Sequence, residues 1–158
     1  MQDKFFTNRH MGKRRIAREY CLQALYLADA AGFTSRDIAV ALELNSPPPQ
    51  HDSLDFAKKL LEGALERLPE IDNLLQENVQ NWNLNRLSVT DRCVLRLAVY
   101  ELLFDRQTPA AVVIDEAIEL GKKFSTENSG RFINGILDKI RISKLPEQTP
   151  PPADATNP

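Results

Sequence analysis

The chain has 158 residues, 42% of them hydrophobic and 27% charged, with a net charge of −2. That is enough apolar content for one domain, or for two small helical subdomains sharing an interface, and it excludes global disorder. No run approaches the ~20 apolar residues that span a bilayer, and Met1-Gln2-Asp3-Lys4-Phe5-Phe6 leads into no apolar segment of the secretory kind, so neither membrane insertion nor secretion is expected.

The charge is unevenly spread. Residues 1–18 hold Lys4, Arg9, Lys13, Arg14, Arg15 and Arg18 against the single acid Asp3, a net of +5, which leaves −7 on the rest of the chain. Such a local basic end suggests an anionic partner that the overall charge would not. Residues 1–12 read as a flexible polar extension, with Met11 either an alternative start or the end of a non-native leader. A first helix follows over about Arg14–Ala30, with Ala17, Cys21, Leu25 and Ala28 at helical spacing and Gly32 as its stop. A short helix, Ser35–Leu44, is closed by the loop Asn45-Ser46-Pro47-Pro48-Pro49. The third, about Ser53–Leu68, repeats Leu54, Ala57, Leu61, Ala64/Leu65 and Leu68. Pro69 suits the first turn of a fourth helix that lines up Ile71, Leu74/Leu75, Val79 and Trp82.

Helix five opens on Ser88-Val89-Thr90-Asp91, a capping-box pattern in which the Ser88 hydroxyl accepts from an orphan N–H. From Val94 to Phe104 it is apolar nearly all round, as a central, surrounded helix is. Thr108 and Pro109 read as N-cap and first residue of helix six, which carries Val113, Ala117, Leu120 and Phe124 on one face. Helix seven, about Asn128–Ile142, buries Phe132, Ile133, Ile136, Leu137 and Ile140; Gly135 in its middle costs about 1 kcal/mol relative to Ala and suggests close helix–helix approach. Residues 143–158, with five prolines from Pro146 onward, form a disordered tail. The class is all-α, a compact bundle of about seven helices over residues 13–142. Cys21 and Cys93 lie far apart within helical patterns and read as buried free thiols of a reducing compartment.

Three blocks in the C-terminal half carry a resemblance: Asn83 to Leu102, Val113 to Phe124 and Ser129 to Ile140. With Arg14-Arg15-Ile16-Ala17-Arg18-Glu19 and Leu22-Gln23-Ala24-Leu25-Tyr26, they resemble the NusB family over roughly residues 13–142, in the family's order and spacing. The resemblance implies two three-helix subdomains packed together. It further implies a transcription antitermination factor that binds NusE, a small-subunit ribosomal protein, and recognises boxA-type single-stranded RNA with it. The RNA polymerase antitermination complex, notably on ribosomal RNA operons, is the implied setting.

Arg14, Arg15 and Arg18 sit where positive charge opposes the helix macrodipole, so a ligand is a better reason for them than helix stability. Guanidinium forks suit phosphates and stack on unstacked bases. Lys13 adds a point charge, and Gln23, further along the helix, is placed to reach a base edge. Phe132 is either core or an RNA-stacking ring, and Asn128 is either the N-cap of helix seven or a polar RNA contact. Leu22, Tyr26 and Asp91 match positions the family uses toward NusE, with an ordinary half-buried aromatic the alternative for Tyr26 and a capping role for Asp91. Arg92 and Arg96, four apart on an apolar helix, must pair with acids such as Glu116 or Glu119 or face the partner. Ile16 interrupts an arginine run that is denser in some family members.

No catalytic, metal or cofactor site is expected. The only histidines, His10 and His51, fall in the N-terminal extension and beside the proline-rich loop, and no CxxC, HExxH, P-loop or GxSxG spacing occurs. A cytoplasmic, non-enzymatic factor is the reading. Alternatives are an RNA-binding module of the kind attached to ribosomal RNA methyltransferases, and a helical adaptor that binds only protein. Some family members self-associate, so a homodimer is a further possibility.

Overall fold

The computed structural model describes residues 12–45, 51–79 and 83–145. The N-terminal extension to Met11, the Pro47-Pro48-Pro49 loop, Trp82 and the proline-rich tail from Pro146 lie outside the described residues. Seven α-helices run in chain order among the rest: α1 Lys13–Ala31, α2 Ser35–Asn45, α3 His51–Glu66, α4 Leu68–Asn78, α5 Val89–Tyr100, α6 Ala110–Phe124 and α7 Glu127–Lys144. A 3-10 turn, Leu84–Arg86, precedes α5, and a π-helical turn, Glu101–Asp105, extends it.

The boundaries follow local chemistry. Gly32 ends α1 in the left-handed conformation, φ 65°, where a side chain would be strained. Ser88 Oγ accepts from the Asp91 N–H at 3.1 Å, so α5 starts as the Ser-x-x-Asp pattern predicts. Four expectations shift. Pro69 does stand in the first turn of α4, but that helix begins at Leu68, which therefore does not end α3. Pro109 is extended (φ −55°, ψ 140°) and caps α6 from outside, which frees the Thr108 hydroxyl to accept from Arg18 Nη2 at 3.4 Å. Thr126, not Asn128, caps α7: its N–H donates to Ser129 Oγ at 3.3 Å, a reciprocal arrangement that leaves Asn128 exposed in the first turn. At its other end α7 runs through Ser143 and Lys144, two residues beyond the expected boundary.

The core is organised around α5, whose Cys93, Val94, Leu95, Leu97, Ala98 and Val99 are all buried, and it packs against α1, α3, α4, α6 and α7. Burying such a helix on every side is what its all-round apolar sequence required. The core is continuous from Cys21 and Leu25 of α1 through Leu60 and Ala64 of α3 to Ile133, Leu137 and Ile140 of α7. Both thiols are buried and unpaired. Burial pushes the Cys21 thiol far up and that of Cys93 to about 12.

Close helix approach uses other glycines than the expected one. A Cβ on Gly121 would collide with Ile133, and one on Gly130 would lie 3.2 Å from Ile118 Cγ2, so these two let α6 and α7 meet. A Cβ on Gly135 would meet nothing within 4 Å, so that residue faces open space and is not a packing glycine.

Candidate nucleic-acid interface

At ~100° per residue, Arg14 and Arg18 fall on one face of α1 and Arg15 on the next. The first two guanidinium carbons lie 5.4 and 5.6 Å from the centre of the Phe56 ring of α3, within cation–π range. Arg15 turns instead toward α6. Its Nε and Nη2 donate to the two carboxylate oxygens of Glu116 at 2.9 and 2.8 Å, a bidentate pair. That bond holds the Glu116 carboxyl below the usual carboxylate range and raises the Arg15 guanidinium further. A second strap runs from Lys123 Nζ to Glu19 Oε1 at 2.7 Å.

Arg18 is a correction. Only 3% of it is exposed, and its Nε and Nη2 bind Glu101 of the π turn at 2.7 to 3.1 Å. Val94, Leu97, Ala98, Val113, Ala117 and Leu120 line the same small space. A guanidinium enclosed in this way holds the bundle together and has no face to offer RNA. Glu101 and Leu102 of this wide turn are both buried, and Arg106 closes it with φ 54°, its N–H donating to Glu101 O at 3.0 Å.

Leu22 is a second correction: it is 3% exposed and belongs to the core, so it has no surface for a partner. Arg92 and Arg96 are ion-paired, as one of their two readings required, but not with Glu116 or Glu119. Asp29 Oδ2 accepts from Arg92 at 2.7 Å and from Arg96 at 3.1 Å, and Asp72 takes Arg96 in a bidentate pair at 2.8 Å. Arg92 also donates to the carbonyls of Leu84 and Leu87, so this network ties α1, α4 and the 3-10 turn to α5. Both arginines are therefore internal struts and not a free partner surface.

The remaining candidates are accessible in different degrees. Lys13, Arg14, Gln23 and Asn128 are exposed, and Tyr26 is 44% exposed. Phe132 is half-buried, its ring packed against the core with an outer part uncovered. Asp91 is half-buried; Oδ2 accepts from Ser129 Oγ at 3.2 Å, joining the starts of α5 and α7, while Oδ1 is buried with no hydrogen-bond partner among the described residues. Sequence reasoning missed Phe56 and Glu101 and named Glu116 only as a partner for Arg92 and Arg96, whereas these three side chains decide what each α1 arginine does. Glu101 carried a signal: an acid directly after a nearly all-apolar helix must find a cation. Among the described residues, no group of three or more His, Cys, Asp or Glu is placed to hold a metal, and no helix is long and apolar enough to cross a membrane.

Fold and surface together define a small all-helical binding protein, with a cationic helix start set beside a closed, ion-paired core. The model of the NusB family matches residues 15–141, and the chain belongs to that family. Transcription antitermination protein NusB of Elusimicrobium minutum is 50% identical over 132 residues, covering 83% of this chain and 94% of that protein. A solved structure of T. maritima NusB is similar with a TM-score of 0.72 at 43% identity, covering 80% of this chain and 89% of that one. A structure of antitermination factors NusB and NusE in complex with dsRNA is similar with a TM-score of 0.73 at 29% identity, covering 81% and 95%.

Proposed function

We propose that this protein is a transcription antitermination factor that binds boxA-type single-stranded RNA together with NusE and modifies RNA polymerase elongation, notably in ribosomal RNA operons. The observation that carries the reading is family membership over most of the chain, joined to a cationic start of α1 that no acid in the first turn offsets. The similar complex of NusB, NusE and dsRNA supports both partners. The role is regulatory and RNA-binding, not enzymatic, and it belongs in the cytoplasm.

Lys13, Arg14, Arg15, Gln23, Asn128 and Phe132 form the proposed RNA surface, and Tyr26 and Asp91 the proposed NusE surface. Arg18 drops out because it is buried, and Arg15 is already half-neutralised by Glu116. About two or three phosphate contacts then remain, which sets the slope of log K against log salt near −1.4 to −2 for a single strand. So shallow a dependence suits a protein whose RNA affinity is completed by a partner.

Fluorescence anisotropy with a boxA-type RNA and a scrambled RNA of equal length, with and without NusE, tests the reading. Preference for the boxA-type RNA that NusE strengthens is the expected result. Equal weak binding to both RNAs despite NusE would make the chain a helical adaptor that binds only protein.

A further inference from the structure

The exposed arginines of α1 are presented in different ways. Arg14 is exposed, and its guanidinium carbon lies 5.4 Å from the centre of the Phe56 ring. Arg15 has its best edge already taken: Nε and Nη2, the pair that grips a phosphate side-on, hold Glu116 at 2.9 and 2.8 Å. Its side chain is still 39% exposed, against 18% for Glu116, so part of the guanidinium group is accessible while the carboxylate is the more covered partner. Glu119 and Glu19 add negative charge around the same guanidinium. A phosphate seeking the Nε/Nη2 edge must displace a carboxylate of matching geometry that the fold holds in place, and an intramolecular competitor acts at high effective concentration.

We infer that Glu116 is a selectivity residue, which denies backbone phosphates the two-point grip on Arg15 and leaves that guanidinium to RNA offering a base plane or a base-edge acceptor. The inference rests on the proposed RNA-binding function. Glu116 makes no RNA contact itself; it acts through Arg15, and its effect is to weaken sequence-independent binding while sparing the specific mode.

The test compares the full chain, Glu116→Gln, Asp115→Asn and the double variant Glu116→Gln/Arg15→Ala, each with NusE, on boxA-type and scrambled RNA across a salt series. Glu116→Gln is expected to strengthen scrambled-RNA binding about threefold over a fourfold fall in salt and to steepen its slope by about 0.7, the contribution of one added phosphate. BoxA-type binding changes less, so discrimination falls. Asp115→Asn removes the same charge from an exposed site on the same helix and is expected to leave discrimination unchanged, and the double variant loses the gain. An unchanged slope in Glu116→Gln, an equal effect of Asp115→Asn, or a gain that survives loss of Arg15 would each overturn the inference while wild-type discrimination stands. Absence of discrimination by the wild type would overturn the functional reading itself, and with it any selectivity role. A melting curve of Glu116→Gln with a single cooperative transition above the assay temperature shows that the affinities belong to the folded chain.

Discussion

Replacing Arg18 by Ala separates the two roles an arginine at the start of α1 could have. The Glu101 carboxylate is 2% exposed, and Arg18 supplies its three shortest hydrogen bonds. Arg18→Ala therefore leaves a buried charge without a cation, among Val94, Leu97, Val113 and Leu120. Breaking a buried pair in this way costs about 3–5 kcal/mol. For a domain of this size each kcal/mol lowers Tm by roughly 2–4 °C, so the melting point is expected to fall by about 6–20 °C. Differential scanning calorimetry of the variant reads this directly. The double variant Arg18→Met/Glu101→Leu removes both charges and is expected to recover most of the loss, because apolar replacement of a buried pair is near neutral. If Arg18→Ala melts within about a degree of the wild type and the chain nonetheless loses RNA affinity, Arg18 is a surface RNA contact and the buried-strut reasoning is refuted.

Ser88→Ala removes the side-chain bond to the Asp91 N–H at the start of the central helix and is expected to cost about 1 kcal/mol in urea denaturation, with an unchanged m-value. Two glycines should respond in opposite directions to alanine. At Gly63 the new methyl would collide with the Tyr100 ring and destabilise by about 1–3 kcal/mol, whereas at Gly135 it meets open space in mid-helix and is expected to stabilise by about 0.5–1 kcal/mol, both read from denaturant midpoints. Glu116 has a depressed carboxyl pKa because Arg15 donates to it, so its stabilising contribution is complete above the ordinary value of 4.5 and is lost as pH falls through the lower folded-state value. Melting points of the wild type and Glu116→Gln are therefore expected to differ above pH 4.5 and to converge as the carboxyl protonates at lower pH; a difference that does not change with pH would contradict the ion pair.

Periodicity made the helices legible, because burial on one side of α3, α4 and α6 and on every side of α5 writes itself into residue type at fixed spacing. The stops were legible where a single residue had the right chemistry, as at Gly32 and Ser88. They were misplaced where neighbours competed: Thr126 and Asn128 are both cap formers, and only the position of Ser129 decides between them. The π turn left no mark, since Glu101-Leu102-Leu103-Phe104 continues an apolar helix and hydrogen-bond register is not a property of side-chain type. The arginines show the same limit at the site. Arg14, Arg15 and Arg18 are one cationic cluster in sequence, and their fates are set by Phe56, Glu116 and Glu101, partners between 42 and 101 residues away. A basic cluster read along the chain therefore overstated the charge that reaches the surface.

Terminator read-through in a purified transcription system, on a template carrying a boxA-type element, tests the central claim most directly. With NusE and the remaining antitermination components present, adding the wild-type chain is expected to raise read-through, and Arg14→Ala/Arg15→Ala, melting close to the wild type, is expected to lose most of that rise. No rise with the wild type, or an equal rise on a template with a scrambled element, would contradict the account.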